Sequence, residues 1–294
     1  MTVTRLDLDG TGSPFGLVTK ILKAEPNLQI PVPIEELAQQ LDISEIGELE
    51  TDGFEGGLLT DEVRSFGGIL IKKGANRKRR RFTIAHELGH FLIPFHKPVK
   101  AGEFLCSRDD MRKWNLSEQN RATKMEVEAN QFAALILMPP PHLRPFIENS
   151  KDPAIVNILR LHEEFDVSKE AAARAYAEYH GEKVAVLVTR HNKLLRAYKR
   201  SSFPRLNIRN GQNIPEHIKD LPTSRLRQVG AEYWLETENR KVLPRLFEEV
   251  LSQKNGFALI MLWVEIFEND EFDPDENRTS KQRLQERLHR TQFR

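Results

Sequence analysis

The sequence predicts an α+β fold, and three observations carry that prediction. Two helix-length stretches, near 82–92 and 122–137, repeat their apolar residues at helical spacing. Two pairs of short β-rich runs, 54–59 with 65–71 and 184–189 with 194–198, are separated by turn residues. The chain has 294 residues, 39% of them hydrophobic, enough for a main core with satellite units.

In chain order, residues 1–30 carry few signals beyond a short helix near 16–24, and they read as an N-terminal extension. Pro33-Ile34-Glu35-Glu36-Leu37-Ala38 reads as a helix with proline in its first turn. The runs at 54–59 and 65–71 form two strands about a polar turn at Thr60, Asp61 and Glu62, and four glycines in them mark bulges or close backbone approach. Seven of the ten residues from 72 to 81 are basic. The run reads as a solvated turn, with nucleic-acid steering the weaker reading because no aromatic residues interleave it. The 82–92 helix stops before Pro94. Residues 97–121 read as a long polar loop, and the 122–137 helix ends at Pro139-Pro140-Pro141.

Residues 146–181 read as a helical, helix-turn-helix-like unit with a turn at Asp166-Val167 and an N-cap at Ser168. Its second helix mixes Glu170 and Glu178 with Lys169 and Arg174, which favours packing or protein contact over DNA readout. The expected organisation is therefore an extension over 1–30, a main domain over 31–145, the helical unit over 146–181, a mixed β-containing region over 182–268 and a charged tail over 269–294. Within the mixed region a hairpin is expected about His191-Asn192-Lys193, with further strands at Tyr233-Trp234-Leu235 and 257–266.

Composition narrows the function classes. The net charge is +1, which excludes a globally basic nucleic-acid binder. The single cysteine, Cys106, forbids an intramolecular disulfide and fits a reducing compartment. No window resembles a membrane span, and the start, MTVTRLDLDG, lacks the apolar core of a secretory signal. A cytoplasmic protein without membrane contact is expected.

The sharpest feature is His86-Glu87-Leu88-Gly89-His90. Residues four apart on a helix lie about 40° apart around its axis, so both imidazoles leave one face and can hold one metal ion. Glu87, between them in sequence, is placed to take a proton from a water that zinc acidifies. The apolar stripe Phe82, Ala85, Gly89 and Leu92 gives this motif a helical context. A catalytic zinc needs a third protein ligand. The second helix offers Glu126 and Glu128, about 200° apart, so only one can face the metal. Glu126 shares its face with Asn130 and Ala133, small residues that permit close helix approach. Helical phase favours it over Glu128, which reads as a solvated charge.

The run Arg80-Arg81-Phe82-Thr83-Ile84-Ala85-His86-Glu87-Leu88-Gly89-His90, followed by Glu126-x-x-Ala129-Asn130-x-Phe132-Ala133-Ala134-x-Ile136-Leu137-Met138-Pro139, closely resembles the ImmA/IrrE family of zinc metallopeptidases. The resemblance is specific over about 30–140 and looser over 150–180. It implies a minimal zincin-like fold in which His86, His90 and Glu126 hold Zn2+ and Glu87 is the catalytic base. Asn130, one turn beyond Glu126, matches a position suited to orienting a ligand histidine. The family's characterised members cleave or relieve helix-turn-helix repressors. The implied function is thus a regulatory endopeptidase whose protein substrate is a helix-turn-helix repressor or antitoxin. The alternatives are a binding protein that sequesters such a repressor without hydrolysis, or a DNA-binding regulator.

Several further residues complete the reading. Tyr176, Tyr179 and His180 are candidates for stabilising the oxyanion if their helix closes over the cleft. The strand near 67–71 is a candidate for pairing with substrate backbone. His96 reads as structural or surface. Cys106 reads as an ordinary thiol, ahead of competition for zinc or oxidation sensing. The interval from His90 to Glu126 is long, and 106–110 reads equally as a lid or as a surface insertion.

Overall fold

A computed structural model describes residues 1–97, 103–107, 109–113, 120–150, 152–219, 223–236 and 243–265. The chain divides into two compact units, Met1–Gly181 and Glu182–Arg294. The fold is α+β, with seven α-helices and two sheets among the described residues. The charged tail expected over 269–294 lies outside the described residues.

The first unit begins with α1 (Pro14–Ala24), capped by the Ser13 side chain, and α2 (Ile34–Gln40), which Pro33 precedes. Leu17, Val18 and Ile21 of α1 are buried, and α1 packs on α4 (Arg121–Leu137), so the first thirty residues are built into the unit. The sheet of this unit contains β1 (Ile43–Leu49), β2 (Gly56–Thr60), β3 (Gly67–Lys72) and β4 (Glu103–Cys106), in spatial order β1-β3-β2-β4. β1 runs parallel to β3, and the other pairings are antiparallel. Neither β1 nor β4 stands out in the sequence. β1 has one fully buried residue, Ile43, and β4 lies in a stretch that reads as polar loop. β3 is central, with neighbours on both sides, so the substrate-pairing edge expected near 67–71 is not available.

Helix α3 (Arg77–Leu92) starts five residues earlier than its apolar pattern suggests, because the Asn76 side chain caps Arg79 N–H at 3.0 Å. The basic run is therefore largely the opening of a helix and not a solvated turn. Its cations are neutralised within the unit. Arg80 pairs with Glu35 at 2.9 Å and Glu48 at 3.0 Å, and Arg77 and Arg81 pair with Asp166 at 2.7 and 3.2 Å.

α3 and α4 pack closely at Gly89. A Cβ there would stand 3.1 Å from Phe132 and 3.3 Å from Ala129 Cα. Ile84, Leu88, Phe132 and Ile136 are buried with them, each contributing roughly 1.5–3 kcal/mol of transfer free energy. After α5 (Pro140–Glu148) come α6 (Ile155–Glu164) and α7 (Lys169–Tyr179), a helical pair with Ser168 capping Ala171 N–H at 3.0 Å.

The second unit is a five-stranded antiparallel sheet, order β6-β5-β9-β8-β7. Its strands are β5 (Lys183–Arg190), β6 (Lys193–Lys199), β7 (Ser224–Val229), β8 (Leu246–Ser252) and β9 (Phe257–Val264). His191 and Asn192, at φ 48° and 61°, make the two-residue turn between β5 and β6. Tyr233-Trp234-Leu235 is not a strand. Ala231–Tyr233 forms a 3-10 turn, and Leu235 makes only an isolated bridge to Leu206. That turn buries Trp234, whose indole N–H donates to the buried Glu248 at 2.7 Å. Among the described residues no helix is long and apolar enough to cross a membrane.

Candidate metal centre

His86 and His90 lie on successive turns of α3, and both are fully buried. Their Nε2 atoms face each other at 3.1 Å. From α4, Glu126 brings Oε2 to 3.3 Å from His86 Nε2 and Oε1 to 3.6 Å from His90 Nε2. The end of β4 adds Cys106, with Sγ 3.6 Å from His90 Nε2 and 3.9 Å from Glu126 Oε1. All four donor atoms lie within 4.8 Å of one another. The sequence pattern reached three of these residues; the thiol joins them only through the pairing of β4 with β2.

The hydrogen bonds fix which nitrogens face inward. Asn130 accepts from His86 Nδ1 through Oδ1 at 3.0 Å, and its amide donates to the Asp110 and Lys113 carbonyls at 3.0 and 2.8 Å. With its amide committed, its oxygen is the acceptor, so His86 carries its proton on Nδ1 and presents a lone pair at Nε2.

His90 is oriented by a relay that the sequence reading missed. His90 Nδ1 lies 3.0 Å from His96 Nδ1, and His96 Nε2 lies 3.1 Å from Glu128 Oε2. The carboxylate fixes the His96 proton on Nε2, so His96 Nδ1 accepts from His90 Nδ1–H and His90 Nε2 turns inward. His96 is fully buried, the structural of its two readings, and Glu128 is partly buried beside it instead of solvated. Arg64 holds the segment by donating to the Phe91 and Ile93 carbonyls at 3.1 and 2.8 Å and to the His96 carbonyl.

The electrostatics suit a cation. Burial pushes His90 below its ordinary value and drives His96 down to about 2, so both imidazoles of the relay are neutral. Burial would also lower His86, but Glu126, Glu87 and Asn130 outweigh it and raise this imidazole. Burial raises Glu126, yet its contacts with the two imidazoles dominate and hold it well below the usual carboxylate range. Burial lifts Glu87 to about 8. Burial, with the nearby charges of Glu87 and Glu126, pushes the Cys106 thiol well above its ordinary value.

Glu87 is fully buried, and its Oε1 has no hydrogen-bond partner. An unpaired buried oxygen beside two converging lone pairs costs free energy that a bound ion would offset. The set of two imidazoles, a carboxylate and a thiol fits a divalent transition metal of the zinc type and does not suit calcium or magnesium.

The two tyrosines considered for the oxyanion make their contacts within the helical unit. Tyr176 is fully buried, and its hydroxyl accepts from Ala154 N–H at 3.3 Å and from Asn157 at 3.5 Å, while its ring packs on His180 at 4.8 Å. Its hydroxyl oxygen is thus held against the start of α6. Tyr179 faces α5, where the Arg144 guanidinium lies 5.9 Å from its ring centroid. Tyr176 and Tyr179 therefore serve the packing of the helical unit.

Residues 48–176 match the family described as the IrrE N-terminal-like domain, a peptidase family. Over those residues the chain is similar to that family. The match takes in α3, α4 and β4, and so every residue of the cluster. Among solved structures, the chain is similar to one titled "Mycobacterium tuberculosis transcriptional regulator", with a TM-score of 0.51 and 13% identity over 85% of this chain and 75% of that one. At that identity the likeness speaks to the fold. No curated protein sequence matches the chain.

Proposed function

We propose that the chain is a zinc-dependent endopeptidase that acts in the cytoplasm as a regulatory switch, hydrolysing a peptide bond in a helix-turn-helix repressor or antitoxin. One observation carries the reading. Two imidazole lone pairs and the Glu126 carboxylate converge on one point, with the buried Glu87 carboxyl beside them.

In this reading His86, His90 and Glu126 hold the metal and Glu87 is the general base. A bound zinc ion supplies Lewis acidity to the scissile carbonyl and acidifies the attacking water. Glu87 takes a proton from that water and returns it to the leaving amine, a role suited to a carboxyl whose pKa lies near neutrality. Asn130 and the His96–Glu128 relay keep both imidazoles in the tautomer that ligation needs. The substrate class rests on what the family resemblance implies, and the neighbour's title, a transcriptional regulator, is in keeping with it.

The test is metal content and cleavage measured together. The wild type is expected to bind one zinc per chain and cleave its repressor. Glu87→Gln should keep the zinc and lose cleavage, and Glu126→Ala should lose both. Full cleavage by Glu87→Gln would sink the mechanism. A biological effect that survives in Glu87→Gln would point to sequestration without hydrolysis.

A further inference from the structure

Peptidase action at a zinc centre needs three protein ligands and an open position, yet four donors meet here. Zinc bonds of about 2.0–2.2 Å to nitrogen or oxygen and about 2.3 Å to sulfur make tetrahedral edges of about 3.3–3.6 Å. The separations found are 3.1 Å between the two imidazoles, 3.3 and 3.6 Å from them to Glu126, 3.6 Å from Cys106 to His90 and 3.9 Å from Cys106 to Glu126. The sulfur thus stands beside His90 and Glu126 as a fourth donor, with all four donor atoms within 4.8 Å of one another.

Its placement is built into the sheet. Cys106 is opposite Gly56 in the β2–β4 pairing, and its carbonyl accepts from Glu55 N–H at 3.0 Å. Gly56 is itself pressed against the site. A Cβ there would fall 2.6 Å from Glu87 Oε1. The missing side chain lets base, sulfur and strand share one space.

We propose that Cys106 is a fourth metal ligand that closes the centre and holds the enzyme latent, an inference that rests on the metallopeptidase reading above. On closing, the Cys106 S–H bond breaks, a sulfur–metal bond would form, and the water in the open position would leave. The proton passes to Glu87 Oε2, 3.9 Å from the sulfur, and from there to water. A coordinating thiol is deprotonated outright, whatever its preference without the ion. Activity then requires the sulfur to leave the metal, which means moving the end of a four-residue strand at the edge of the sheet.

The chain has one cysteine, so a thiolate signal at the metal has a single source. The experiment is cobalt substitution of the full chain, with cobalt content and absorption read for wild type and Cys106→Ser. The wild type should bind one cobalt and show a thiolate-to-cobalt charge-transfer band in the near ultraviolet. Cys106→Ser should bind one cobalt, lose the band and hydrolyse casein faster than the wild type. One cobalt in the wild type without the band overturns the proposal and leaves the metallopeptidase reading standing. An unchanged casein rate in a Cys106→Ser protein that has lost the band overturns the latency. No bound cobalt in either protein overturns the metallopeptidase reading and this inference with it. Should Cys106→Ser not fold, the wild-type spectrum alone decides the ligand.

Discussion

Replacing His96 by alanine tests the orientation of His90 without touching a donor atom of the cluster. The wild-type relay runs from His90 Nδ1 through His96 to Glu128, with separations of 3.0 and 3.1 Å. Removing His96 leaves the His90 Nδ1–H buried without its acceptor, which costs about 1–3 kcal/mol. That penalty is relieved if the ring turns or moves its proton to Nε2, and either change spoils the inward lone pair. Loss of such a partner typically lowers metal affinity 10–100-fold, or about 1.4–2.7 kcal/mol, in agreement with the hydrogen-bond figure.

The assay is competition for zinc against a chromophoric chelator, with wild type, His96→Ala, Glu128→Ala and the double variant. Glu128 acts through His96, so its loss should cost little once His96 is gone. The double variant should then match His96→Ala within about 0.5 kcal/mol. An affinity of His96→Ala within about twofold of the wild type, or costs that simply add, would refute the relay.

Two further outcomes follow from the same centre. In metal-stripped protein Glu87 titrates at about 8 when folded, against 4.5 as its ordinary value. Between those values the folded chain keeps a proton that the unfolded chain has lost, so this group's contribution to stability falls as pH rises, by at most about 1.4 kcal/mol per pH unit. The stability gained by Glu87→Gln over the wild type should therefore grow from about pH 5 to about pH 8 in chemical denaturation with chelator present; a constant difference contradicts the assigned environment. Gly56→Ala would place a methyl 2.4 Å from Thr83 Cγ2 and 2.6 Å from Glu87 Oε1. Overpacking of this kind costs about 1–3 kcal/mol, read as a lowered midpoint in thermal unfolding, and a neutral substitution would show that β2 yields easily.

What could be read in the sequence follows from local periodicity. His86 and His90 fall on one face because four residues nearly complete a helical turn, and Glu87 follows from the same geometry. Glu126 was favoured by its face-sharing with Asn130, and the structure brings its oxygens to both imidazoles. The 72–81 run misled because charge density suggests solvent, while the Asn76 cap and partners as distant as Asp166 are invisible locally. Tyr176 is a candidate in the sequence because a tyrosine offers a hydroxyl, and only the structure shows that hydroxyl buried against Ala154 and Asn157.

By itself, then, the sequence determined the α+β class, the helix that carries both histidines and the kind of chemistry they serve, because all of these reside in spacing along one or two helices. Only the tertiary structure decided that Cys106 joins the cluster, that His96 and Glu128 orient His90, and that β3 is shielded on both edges. Those facts depend on long-range strand pairing and on where a turn returns the chain. The pairing of Cys106 with Gly56 joins residues fifty positions apart, and no local period of 2.0 or 3.6 residues encodes it.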